Sequence, residues 1–357
     1  MSGRFTLLFC LIAATVWAAP VDGVVTNGST GKPQAGATVT LFRVGQNGPE
    51  SLESVKTDQA GRFTLSQDIP GPRLIQAAYD GVTYNRMVPP GTPSSGIEIK
   101  VFPSISKPGA ARVDQHFMLL EPQPDGKMAV SESFVWANDG KTTFNDPVNG
   151  TLQFYLPPEA QGQVTVNVLA PQGMPIRRAP EKTKIPNVFK VDFPIKPGES
   201  RIDLSYGLPF QSPGEFVSKI YYKGSPTRVI VPPGVTLAGT GLQDMGQGPM
   251  KANIYSTDAA ELKLQVTGTG VLRGRGGDSA DQSGGEGGGG SSIAQIMPKL
   301  YQSSDPKDGF GGAIGSVKWV MLLVLGMLSI GFAILYRAGT EKALEEVPAA
   351  KAKRGRR

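Results

Sequence analysis

Apolar and polar residues alternate in short runs along most of this chain, and the runs are separated by Gly, Pro, Asn and Asp. Between residues 21 and 105 there are seven: VDGVVT from 21, ATVTLFR from 37, SLESVKT from 51, RFTLS from 62, RLIQAAY from 73, VTYNRMV from 82 and IEIKVF from 97. A period of two marks a strand with one buried face, and seven such strands between turn residues predict a β-sandwich. Ten longer candidates follow between 110 and 268. They begin with HFMLL at 116, KMAVSESFVWAN at 127, GTLQFYL at 150, QVTVNVL at 163 and VFKVDFPI at 188. SRIDLSYGLPF at 200, FVSKIYY at 216, TRVIVP at 227, ANIYS at 252 and ELKLQVTG at 261 complete the set. These predict one large or two small immunoglobulin-like sandwiches over 107–268, with any division near 172–187, where Pro and charged residues cluster. Asn138-Asp139-Gly140, after the second of these runs, is a hairpin turn signal.

Two runs break the alternation. Arg4 precedes a twelve-residue apolar stretch, Phe5 to Val16, and Val16-Trp17-Ala18 supplies small residues for cleavage, so residues 1–18 read as a secretory signal. Cys10 lies inside that stretch behind Phe9, where a lipid-modified cysteine would want a small residue before it. Removal of the signal leaves a chain without cysteine, whose sandwiches depend on their cores rather than on disulfides. The second break is Trp319 to Tyr336, eighteen residues without a charge. As a helix it is about 27 Å long, close to the hydrocarbon thickness of a bilayer. A transmembrane helix is expected over 317–336, with interfacial aromatics at its ends. The basic tail at 337–357, with Arg337, Lys351, Lys353, Arg354, Arg356 and Arg357, belongs on the cytoplasmic side. The topology expected is a single pass through the cytoplasmic (inner) membrane, ectodomain outside and tail inside, with membrane lipid contacted through the helix. Between ectodomain and membrane, 269–316 reads as a Gly-rich linker with an r.m.s. span of about 35–42 Å. Within it, Ile293, Ile296, Met297, Leu300 and Tyr301 offer one apolar turn.

The first seven runs carry a more specific pattern. Val21-Asp22-Gly23-Val24-Val25 is followed by Gly31-Lys32-Pro33-Gln34-Ala35-Gly36-Ala37-Thr38-Val39-Thr40-Leu41, then by Thr57-Asp58-Gln59-Ala60-Gly61-Arg62-Phe63. Residues 19–106 thereby resemble the carboxypeptidase regulatory-like (prealbumin-like, or transthyretin-like) domain family. Pro33 and Gly36 suit the corner into the second strand, Ala37 leaves room for close packing, Asp58 suits a turn that bonds amides, and Gly61 suits a left-handed conformation. Phe63 and Leu65 face one side together. The resemblance implies an accessory module without a catalytic site, and, because related folds are grouped with starch-binding-like modules, carbohydrate binding as an alternative. The fold class expected is all-β: tandem antiparallel β-sandwiches, prealbumin-like then immunoglobulin-like, plus the C-terminal transmembrane helix.

Composition narrows the chemistry. The chain has 46 Gly, 30 Pro, one His and one Cys, so paired imidazoles, thiolates or a Cys/His metal cage cannot be assembled within it. The formal charge of +6 sits largely at the C-terminus. The nearly neutral remainder argues against nucleic acid as a partner. His116 opens a strand, and Glu121, five positions on, falls on the opposite face, so neither a zinc site nor a Ser–His hydrolase is expected. No cofactor or metal is expected.

Glu132 is the carboxylate that stands out, because in the alternation Met128, Val130, Glu132, Phe134, Trp136 it occupies the apolar face. Either a bulge or twist turns it to solvent, an Arg or Lys pairs with it, or burial perturbs it for a function. Of three Trp, only Trp136 lies in the ectodomain, while Tyr221-Tyr222 on a strand would place one ring on each face. Glu132, Trp136, Tyr221 and Tyr222 are therefore the candidate ligand or partner contacts. Asn27-Gly28-Ser29 and Asn149-Gly150-Thr151 match glycosylation acceptors and also read as plain turns. The function expected is that of a non-enzymatic envelope protein whose ectodomain binds or scaffolds another envelope component. Alternatives are a module engaging polysaccharide or peptidoglycan, and a carboxylate-type hydrolase.

Overall fold

The computed structural model describes residues 20–272, apart from 46, 47, 68, 70, 172, 174, 223 and 224. The expected signal, the linker beyond 272, the transmembrane helix and the basic tail lie outside the described residues. Among those described, no helix is long and apolar enough to cross a membrane.

The seven expected strands of the first sandwich all form. They are β1 (Val21–Asn27), β2 (Thr38–Gly45), β3 (Gly48–Lys56), β4 (Arg62–Leu65), β5 (Arg73–Tyr79), β6 (Val82–Val88) and β7 (Ile97–Val101). One sheet has the order β4-β1-β7 and the other β3-β2-β5-β6. Val21, Val25, Val39, Leu41, Phe63, Leu65, Ile75 and Ile99 fill the space between them. The signature residues take the structural roles their chemistry suggested. The Asp58 carboxylate accepts from the amides of Ala60 (2.9 Å) and Arg62 (2.8 Å). Gly61 has φ +71°, and a Cβ there would stand 2.5 Å from the Val25 carbonyl, so the turn excludes any other residue. Thr57, behind the same turn, donates its hydroxyl to Gln34 O at 2.7 Å and accepts from the Ala37 amide at 3.0 Å.

All ten expected strands of the second part also form, joined by five strands of two or three residues, too short to show a period, and by one of five residues that is exposed throughout and carries no alternation. In chain order these are β8 (Ser104–Ile105), β9 (Ala111–Pro122), β10 (Lys127–Asn138), β11 (Thr143–Phe144), β12 (Leu152–Tyr155) and β13 (Thr165–Leu169). Next come β14 (Ile176–Arg178), β15 (Glu181–Lys182), β16 (Val188–Val191), β17 (Gly198–Pro209) and β18 (Gly214–Lys219). The last are β19 (Thr227–Val231), β20 (Thr236–Ala238), β21 (Gln243–Gln247), β22 (Asn253–Thr257) and β23 (Glu261–Thr267). An eight-stranded sheet, β14-β13-β17-β10-β9-β19-β22-β21, faces two three-stranded sheets, β12-β16-β15 and β18-β23-β20. One continuous core lies between them, from Ala111 through Val166, Phe189 and Ile202 to Val266. The stretch 172–187 thus carries the chain from β13 and the edge of the large sheet to the facing layer, and both its flanks feed the same core.

Two expectations need correction. The sheets are not wholly antiparallel, since β1–β7, β9–β19 and β8–β11 pair in parallel. Pairs such as β9 and β19 are far apart in sequence, so no hairpin fixes their direction. Asn138-Asp139-Gly140 makes a turn but no hairpin: Asn138 Oδ1 accepts the Gly140 amide at 3.1 Å, and the following β11 pairs with β8 rather than returning along β10. Buried Asn138 donates instead to Thr142 O and Ile195 O, at 2.9 and 3.0 Å, which uses the side chain to tie layers together.

The β8–β11 ladder also couples the first sandwich to the second. Beside it the Tyr84 hydroxyl bonds Thr143 Oγ1 at 2.8 Å and Phe102 O at 2.9 Å, with both side chains buried. Lys196 caps the contact, donating to Thr83 O with its ammonium 4.9 Å from the centre of the Tyr84 ring. Burial there pulls the Lys196 pKa down to about 8.

Candidate functional site

The strand registers bring four polar side chains into a row across the inner face of the large sheet. Tyr206 comes from β17, Glu132 from β10, His116 from β9 and Thr227 from β19. A bulge opposite Val135/Trp136 shifts β9 by one residue and keeps Ala111, Val113, His116, Met118 and Leu120 on one face despite the change of parity. The Tyr206 hydroxyl donates to Glu132 Oε1 at 2.7 Å, the second carboxylate oxygen lies 3.3 Å from His116 Nε2, and His116 Nδ1 lies 3.0 Å from Thr227 Oγ1. The imidazole stacks on Phe134 with ring centres 4.2 Å apart.

Glu132 does face the core, as its place in the alternation implied, but its partners are His116 and Tyr206 rather than an Arg, a Lys or water. His116, set aside on sequence because it lacked ligands nearby in the chain, is the residue that meets it. Sixteen positions separate them, and only the β9–β10 register places them together. Burial, with the neighbouring Glu132 charge and bond acting in the same sense, pushes the Tyr206 hydroxyl well above its ordinary pKa, so it serves as a donor. The row is closed to substrate: His116 and Glu132 are each 4% exposed. Among the described residues no group of three or more His, Cys, Asp or Glu is placed to hold a metal ion. The arrangement satisfies buried polar atoms and fixes the register of four strands.

The aromatic candidates divide. Trp136 is 3% exposed and packs edge-on against Tyr222, whose hydroxyl donates to Gln153 O at 2.9 Å. Trp136 is thus interior, and Tyr222 is half-buried with its ring set edge-on to Phe134 and Trp136. Tyr221 is 40% exposed. The two tyrosines follow β18 rather than lying within it, so their opposite fates reflect the path of a loop and not strand alternation.

A different surface emerges at one side of the second sandwich. β14, Ile176–Arg178, is the last strand of the large sheet and every residue in it is exposed. The chain then crosses to β15, the last strand of a facing sheet, which is also exposed. Residues 176–185 hold Arg177, Arg178, Lys182 and Lys184 against the single acid Glu181, together with exposed Ile176 and Ile185. A cleft of about 350 Å³ adjoins them, lined by Pro158, Gln161, Lys182, Lys184, Ile185 and Asn187 among others. The sequence shows the charges but not their setting, because β14 and β15 are too short to betray themselves as edges.

Comparison with known proteins adds one firm result: residues 20–100 match the carboxypeptidase regulatory-like domain family. No curated relative matches the sequence. Among solved structures, a mutant M1 zinc metallopeptidase of Deinococcus radiodurans bound to a Tyr-Ser-Ala substrate is similar at 15% identity and a TM-score of 0.25, covering 46% of this chain and 44% of that one. The M1 zinc metallopeptidase of the same organism gives 15% identity and a TM-score of 0.24, covering 44% and 42%. This chain therefore spans less than half the length of those structures, and the likeness is too slight to bear on fold or activity.

Proposed function

We propose that this protein is a non-catalytic, single-pass envelope protein whose β-sandwich ectodomain binds another envelope component through the basic edge formed by β14 and β15. On this reading residues 1–18 direct export, 317–336 anchor the chain in the cytoplasmic membrane, and the prealbumin-like and immunoglobulin-like sandwiches stand outside the cytoplasm. The observation that carries the binding role is the exposed edge strand β14 with its arginines, beside a cleft bordered by lysines. An open edge offers backbone donors and acceptors to an added strand, and the surrounding charge favours an acidic partner. Support for the absence of catalysis comes from His116, the chain's one imidazole, which is sealed in the core with Glu132 and Tyr206.

The test is cross-linking in native membranes with the full-length protein, read by mass spectrometry, beside the variant Arg177→Glu/Arg178→Glu/Lys184→Glu. These side chains are exposed, so the variant is expected to fold. A protein partner with an acidic surface should be recovered with the wild type and lost with the variant. Recovery of polysaccharide or peptidoglycan in place of a protein would establish the carbohydrate-binding alternative. Hydrolase activity abolished by one substitution would end the non-catalytic reading. A reporter enzyme fused after residue 268 and again after residue 357 checks the topology, since only the first should show activity outside the cytoplasm.

A further inference from the structure

The facing sheet β12-β16-β15 ends in the cleft of about 350 Å³, which lies between the turn after β12 and the turn that joins β15 to β16. Its two walls are tied together by the Leu156 amide, which donates to Asn187 O at 2.9 Å. Each wall is a closed turn. In one, the Gln161 amide donates to Pro158 O at 2.9 Å; in the other, the Thr183 hydroxyl donates to Val188 O at 2.9 Å and accepts the Ile185 amide at 3.1 Å. Gln161 and Asn187, one on each wall, have φ of +52° and +61°, a left-handed conformation that residues with side chains keep only where their surroundings hold them in it. The cleft is therefore formed before any ligand arrives, and a preformed site loses little affinity to ordering its own walls.

The lining has a definite chemistry. Buried Leu156, Val188 and Phe189 give it an apolar floor, and exposed Ile185 adds an apolar rim. Lys182 and Lys184 are its charged members, and it holds no acid. Neighbouring Glu181 is already matched, with its carboxylate 3.2 Å from Lys190 Nζ, whereas neither Lys182 nor Lys184 has an ion pair among the described residues. Two unmatched cations beside a small apolar floor favour a ligand that is acidic and carries one apolar group. Inorganic phosphate would leave the floor unused. A sugar would find no ring to stack on, because Phe189, the one aromatic residue of the lining, is buried with its ring stacked on Phe154 at 5.9 Å between centres.

We propose that this cleft is the specificity site of the basic edge: it takes one apolar side chain from an acidic peptide segment of the partner, while Lys182 and Lys184 pair with the carboxylates that flank that side chain. The inference rests on the edge reading above and adds what the partner presents, an aliphatic or aromatic residue set between Asp or Glu residues on an exposed segment. The arginines of β14 then supply general attraction and the cleft supplies selection, because only the cleft distinguishes an apolar side chain from a polar one at equal charge.

The experiment titrates the full-length protein in detergent with fluorescein-labelled peptides Asp-Glu-X-Glu-Asp, where X is Leu, Phe or Ser, and reads binding by fluorescence anisotropy. The Leu or the Phe peptide should bind at least about tenfold tighter than the Ser peptide, the ratio expected when one large apolar side chain is buried. Lys182→Gln/Lys184→Gln should weaken that peptide by about tenfold or more, while Arg177→Gln/Arg178→Gln should weaken all three peptides alike. These four side chains are exposed, so both variants are expected to fold. Equal affinity for the three peptides, or binding that the lysine pair leaves unchanged, overturns the proposal. So does a lysine effect confined to phosphatidylglycerol vesicles, which would make the cleft a lipid site. Cross-linking in native membranes with the same two variants separates this inference from the reading beneath it. A partner kept by the lysine variant and lost by the arginine variant removes the cleft and leaves the edge, whereas a partner kept by both removes both.

Discussion

Glu132 shows what a single buried carboxylate demands of its surroundings. It sits among Met118, Val130 and Phe134 and is tolerated because Tyr206 and His116 converge on its two oxygens. Glu132→Ala removes the acceptor for both and opens a cavity, and should cost about 3–5 kcal/mol. Glu132→Gln keeps Oε1 for the tyrosine and should cost clearly less. Urea titration of both variants checks this, and an alanine variant within about 1 kcal/mol of wild type would mean that the row does not form. Glu121 gives a pH-dependent counterpart. Burial raises its pKa above the ordinary 4.5, while the Leu272 amide pulls the other way. A carboxyl raised in the folded state holds its proton more tightly there than in the unfolded chain. Its contribution to stability is therefore full below pH 4.5 and lost as pH rises through the raised value. Glu121→Gln stays neutral and keeps an oxygen for Leu272. It should be more stable than wild type at about pH 8, with the difference vanishing at about pH 4. Melting curves at the two pH values decide it, and a constant difference would contradict the assignment.

At the scale of elements, the long strands were legible and the short ones were not. All seventeen runs picked out on sequence became strands, most of them because burying one face of a pleated strand imposes a period of two, and β9 as an unbroken apolar run buried on both faces. The two- and three-residue strands β8, β11, β14 and β15 carry no period, yet they form the coupling between sandwiches and the exposed basic edge. The coupling is testable through Tyr84 and Thr143, whose hydroxyls share a bond 59 positions apart in sequence. Tyr84→Phe and Thr143→Val should each cost about 1 kcal/mol, and the double variant less than the sum, because each removes the same bond. Strict additivity in urea titrations would show that the two sandwiches do not meet there in solution.

For the whole molecule, the proposed order of export signal, sandwiches, Gly-rich linker and membrane span is a reading of local hydropathy and chain entropy, and its two ends lie outside the described residues. The alternation along each strand likewise determined the all-β class, and the turn at Asp58 and Gly61 determined the family of the first sandwich, since those constraints act within a few residues. Which strands adjoin was decided by tertiary structure alone. Parallel pairing of β9 with β19, the bulge that keeps His116 inward, and the meeting of His116 with Glu132 depend on contacts between residues 16 to 111 positions apart. No local pattern encodes such distances; they are set by how whole sheets share one core. For the same reason Trp136, eligible on sequence as a binding surface, became interior, while Ile176–Arg178 and Glu181–Lys182, within a stretch read for its Pro and charge, became exposed edge strands. Burial is a property of the packed layers, and the sequence of a strand says only that one of its faces must be covered.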